Sequence, residues 1–138
     1  MKQDSSKQKH QAQKQQDKRK TQAGVWLDHH QAFIISAPDG EFAMGENLET
    51  TAPEHDRTSE HTINNAEKAL TLKHFHAVAA QLTRYEHILL FGPGTAQEEM
   101  KNLLAGDVHF REKTVDIAAS SHMTKNEMVA KVREFFEQ

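Results

Sequence analysis

The run Ile88-Leu89-Leu90-Phe91, closed by Gly92-Pro93-Gly94, constrains the fold more than any other stretch. Successive side chains of a strand point to opposite faces, so four large apolar residues in a row need apolar cover on both sides. That is the condition of an inner strand in a sheet flanked by helices. Proline then stops the strand, because it has no N–H to give to a ladder.

The helices that would supply the cover can be read from spacing. Leu72, Phe75, Val78, Ala79, Leu82 and Tyr85 recur every three or four residues and predict a helix from about Asn65. Thr95 with Glu98, ahead of Met100, Leu103 and Leu104, reads as a capping box opening a second helix that Gly106 ends. Thr124 with Glu127 repeats the box ahead of Met128, Val129, Val132, Phe135 and Phe136.

Strands precede and separate these helices. Val25 to Leu27 and Ala32 to Ser36 are rich in β-branched and aromatic residues and predict an antiparallel pair, with Asp28-His29-His30-Gln31 as the turn. Pro38-Asp39-Gly40 is a further turn signal leading into a third strand from about Glu41 to Thr50. Residues 51–65 hold only Ile63 as a large apolar side chain and predict a long exposed loop, and Thr114 to Ala118 predicts the last strand. The result is an α/β fold, a ribonuclease-H-like βββαβαβα mixed sheet with helices on its faces, whose right-handed crossovers set the later strands parallel.

A disordered basic tail, residues 1–22, is expected ahead of one domain at 23–138. The tail is almost wholly Lys, Gln, Asp, Ser and His and cannot bury enough surface to offset ordering entropy. Its first twenty residues carry seven cations against two carboxylates, a net of +5, while the other ten cations and eighteen carboxylates leave the body at −8. Such an arm suits a polyanion, with Lys7, Lys9, Lys14, Lys18, Arg19 and Lys20 as the RNA-backbone contacts. The tail has no aromatic side chain for stacking on bases.

The 138 residues include no cysteine, which excludes disulfides, thiolate metal sites and a cysteine nucleophile. No apolar run nears the roughly 20 residues that cross a bilayer, and the amino terminus lacks the apolar centre of an export signal, so a cytoplasmic protein without membrane contact is expected. Phosphate-binding loop, nucleophile elbow and dinucleotide fingerprint are all missing.

Asp28, His29 and His30 are the remaining chemical candidates, with His55 and His61 in the following loop. A metal-dependent hydrolase or nuclease could be built on Asp28 with His55, Asp56, Glu60 or His61. Against it, adjacent histidines on a strand point to opposite faces, and His74 and His76 lie about 200° apart on a helix. The simpler expectation is a hairpin turn in which Asp28 accepts backbone hydrogen bonds, with no metal and no cofactor.

The stretches GVWLDHHQAFII, HILLFGPGTAQEEMKNLL and MTKNEMVAKVREFF resemble small bacterial proteins grouped as translational machinery components. These are similar to the central domain of archaeal and eukaryotic class-I release factors and of Pelota. The resemblance covers about residues 24–136 and implies a translation-associated domain acting with the ribosome or tRNA. In release factors a Gly-Gly-Gln tripeptide in the loop before the first helix assists hydrolysis of peptidyl-tRNA. Here that loop, about Gly45 to Asn65, has no such tripeptide and no glutamine, so that hydrolysis is not expected. A non-catalytic ribosome- or tRNA-binding protein is the expectation, with a protein-interaction module presenting the acidic body as a further alternative.

Overall fold

A computed structural model describes residues 18–49 and 60–137. After a helical turn at 18–20 come β1 (Gln22–Leu27), β2 (Gln31–Ser36), β3 (Ala43–Glu49) and α1 (Glu60–Leu82). Then follow β4 (His87–Gly92), α2 (Ala96–Ala105), a 3-10 turn (Val108–Phe110), β5 (Thr114–Ala119) and α3 (Lys125–Phe136). The described strands form one mixed sheet in the order β3-β2-β1-β4-β5. The β1–β2 and β2–β3 pairs are antiparallel, whereas β4 runs parallel to both β1 and β5.

Strict alternation along the inner strands builds two cores. Ala23, Val25 and Leu27 of β1, with Ile88 and Leu90 of β4, face α1 and α2, where Phe75, Val78, Leu82, Met100 and Leu104 cover them. Trp26, Leu89 and Phe91 point the other way and meet Met128 and Val132 of α3. The apolar run of β4 is therefore covered on both faces, as its sequence requires. Each fully buried aliphatic or aromatic side chain contributes about 1.5–3 kcal/mol over leaving it in water.

The structure differs from the sequence reading in four places. Residues 18–22, given to the tail, belong to the domain. Gln22 opens β1 and is buried, and the Thr21 carbonyl accepts from the N–H groups of Glu86 and His87. Arg19 donates to the Gly40 carbonyl at 3.1 Å and pairs with Glu137 at 3.6 Å, so backbone pairing and a cation fix what composition alone made a tail. Secondly, residues 60–65 are helical rather than loop, because extending a packed helix adds a hydrogen bond per residue at little cost. Thirdly, Leu72 of the expected stripe is 49% exposed, and His74 takes a buried place on α1 instead. Fourthly, Thr95 makes no side-chain cap; its hydroxyl donates to Glu99 at 3.1 Å, whereas the box of Thr124 and Glu127 forms in full.

Two ends of the sheet matter for function. At the carboxyl end of the parallel strands lie the β1–β2 turn, the Gly92-Pro93-Gly94 step, the start of α2 and the residues that flank segment 50–59. At the amino end lie Gln22, His87, Thr114 and the chain leading in from the amino terminus. Among the described residues no helix is long and apolar enough to cross a membrane.

Candidate functional site

Asp28 makes the turn between β1 and β2 in the manner its sequence position predicts. Its Oδ1 accepts from the backbone N–H of His30 and of Gln31, each at 2.8 Å, and Oδ2 accepts from the Gln31 side-chain amide at 3.4 Å. The backbone N–H of Asp28 donates to the Gln31 carbonyl at 3.0 Å and closes the hairpin. Burial pushes the carboxyl up, but the two backbone N–H groups, the Gln31 amide and the nearby His30 outweigh it, so its pKa lies below the ordinary value. A carboxylate committed in this way is an orienting group for the turn.

That turn aims His29 at α2. His29 Nε2 lies 2.5 Å from Glu99 Oε2, the same oxygen that accepts from Thr95. An ionised carboxylate only accepts, so Nε2 donates in this contact. Behind the turn, His74 reaches up from α1. Burial pushes its pKa down, while hydrogen bonds to the backbone of Gln31 and Asp28 and the Asp28 charge oppose the shift. The turn is thus held from below by α1 and at its tip by α2.

Between these elements opens a cleft of 590 Å³. His29, His30, Glu67, Lys68, Thr71 and Glu99 supply its polar groups, and Leu72, Phe75 and Leu103 its apolar ones. Ligands of open α/β sheets bind outside the carboxyl ends of the strands, which is where this cleft lies. With both signs of charge beside apolar side chains, it can hold a mixed polar and apolar group. Among the described residues, no group of three or more His, Asp or Glu stands where it could hold a metal ion.

The structure brings Asp28, His29 and His30 together in one turn. His61 lies in the first turn of α1, and His55 lies outside the described residues, as do Lys7, Lys9 and Lys14. Lys18, Arg19 and Lys20 stand at the opposite, amino end of the sheet. Sequence reasoning missed Glu99, Lys68 and Phe75 as neighbours of the turn. The four-residue step from Thr95 to Glu99 was the one local signal for Glu99, and its 70-residue separation from His29 hid the rest.

No family model and no characterised protein sequence matches the chain. Solved structures do. The chain is similar to Pelota of Archaeoglobus fulgidus at a TM-score of 0.58 and 13% identity, over 88% of this chain and 34% of that one. An archaeal translation termination factor gives 0.49 at 15% identity, over 85% of this chain and 34% of that one. A translation termination-like factor of S. cerevisiae involved in RNA quality control pathways gives 0.49 at 17%, over 83% and 32%. The chain spans about a third of the length of each. At such identity the likeness to Pelota shows a shared α/β fold.

Proposed function

We propose that this chain is a non-catalytic, translation-associated protein of the bacterial release-factor-like kind, acting in the cytoplasm and binding the ribosome or tRNA. The observation that carries the reading is the fold shared with Pelota over 88% of the chain, combined with a sequence that lacks Gly-Gly-Gln before α1. The sheet order β3-β2-β1-β4-β5 supports the ribonuclease-H-like assignment of that fold. Cations of the amino-terminal twenty residues meet RNA backbone by counterion release, and the segment between β3 and α1 makes the shaped contact.

A hydrolase centred on Asp28 has less support, because both carboxylate oxygens already serve the turn. Sucrose-gradient sedimentation of native lysate tests the leading reading. The protein should co-sediment with ribosomal particles at low salt and leave them as salt rises. Recovery only in the light, ribosome-free fractions at low salt would end it.

A further inference from the structure

A second cleft, of 760 Å³, lies at the amino end of β1, β4 and β5, away from the His29–Glu99 pair. Lys18, Arg111 and Lys113 line it against Glu86 and Glu112. Three cations to two carboxylates is a locally positive balance on a body that is acidic beyond residue 20, with ten cations to eighteen carboxylates.

The cations differ in what they are free to do. Lys113 Nζ donates to the carbonyls of Thr83 at 2.8 Å and Tyr85 at 2.6 Å, so it neutralises the end of α1. Lys18 and Arg111 are exposed and form no ion pair with a described carboxylate. Val108 is the one large apolar side chain among the described lining residues, whereas the core of a protein–protein contact is built on aromatic and apolar anchors. The rings that line it, His87 and His109, are imidazoles paired with Asp116 and Asp107. A polar, cationic cleft of this kind fits the phosphate backbone of a nucleic acid, read without regard to sequence.

We propose that the amino-end cleft binds the phosphate backbone of RNA, with Lys18 and Arg111 as its fixed cations. This rests on the RNA-binding reading above and gives it a surface on the folded domain. Arg111 supplies a planar fork suited to two phosphate oxygens, and Lys18 a point charge. Glu49, which precedes segment 50–59, stands at the other end of the sheet, about 20 Å away along the seven residues of β3.

The test titrates the full-length chain against a fluorescein-labelled RNA hairpin over a salt series. Each phosphate contact adds about 0.7–0.9 to the slope of log affinity against log salt. The double variant Lys18→Ala/Arg111→Ala should lower that slope by about 1–2 and weaken low-salt binding, with an unchanged circular dichroism spectrum. The triple variant Lys7→Ala/Lys9→Ala/Lys14→Ala should lower it further and independently. An unchanged slope and affinity in the double variant, beside a loss in the triple variant, overturns the cleft and leaves RNA binding by the amino-terminal segment standing. Absence of binding by the unaltered chain at the lowest salt overturns both.

Discussion

His29 and Glu99 meet at 2.5 Å across the mouth of the carboxyl-end cleft, which ties the β1–β2 turn to α2. Both side chains are substantially exposed, 41% and 50%, so solvent screens the pair. His29→Ala and Glu99→Ala should each lower stability by about 0.2–1 kcal/mol, with a coupling below about 1 kcal/mol in a double-mutant cycle. Urea denaturation of the four proteins measures this. A coupling of several kcal/mol would show that the pair is shielded from water and that its charge is held for another purpose.

Asp28 and His74 should give the fold two separate acid sensitivities. The pKa of His74 is lowered by burial, so the unfolded chain takes up a proton before the folded one does as pH falls below the ordinary 6.5. Stability is complete above that value and declines below it towards the folded pKa. Asp28 also titrates below its ordinary 3.8 when folded, so its contribution is present above 3.8 and is lost as pH falls through the lower folded value. His74→Gln should flatten the dependence of urea stability between about pH 7 and 5, while Asp28→Asn should flatten it only below about pH 4. If His74→Gln leaves the near-neutral slope unaltered, protonation of the buried ring is not its cause.

Gly24 is a packing requirement rather than a turn. A methyl group built there would stand 2.2 Å from Val132 Cγ2, because α3 lies close against β1 at that point. Valine in a helix has little rotamer freedom with which to withdraw. Gly24→Ala should cost about 1–3 kcal/mol by overpacking, and adding Val132→Ala should restore part of that loss. Thermal denaturation of the single and double variants checks the compensation. Additive losses would place the strain elsewhere.

Much of this architecture is legible in one sequence because the two faces of β1 and β4 need cover and the helical stripes supply it. Val25, Leu27, Ile88 and Leu90 go to one core, and Trp26, Leu89 and Phe91 to the other, as alternation demands. The Asp28 turn was legible for the same local reason: an aspartate two and three residues ahead of free N–H groups accepts from them. The candidate site was less legible. Glu99 and Lys68 reach the turn through long-range packing of α1 and α2, which no spacing rule encodes. Arg19 read as a tail cation, yet its partners are Gly40 and Glu137, 21 and 118 positions along the chain.

Thr95 and Thr124 begin the same Thr-x-x-Glu pattern and end differently, which separates motif from mechanism. Thr124 accepts from the Glu127 N–H at 3.2 Å, and the Glu127 carboxylate accepts from the Thr124 N–H at 3.1 Å, so two otherwise free N–H groups at the amino end of α3 are satisfied. The backbone at Thr124 is extended, with φ −71° and ψ 162°, as a cap requires. Thr95, at φ −115° and ψ 1°, turns its hydroxyl to Glu99 instead, because the Pro93-Gly94 step delivers it in a different conformation. Thr124→Ala should therefore cost about 1 kcal/mol, within the range for a lost cap, and Thr95→Ala only a few tenths. Urea denaturation at neutral pH compares them. Equal losses would mean that Thr95 caps α2 in solution and that its bond to Glu99 is secondary.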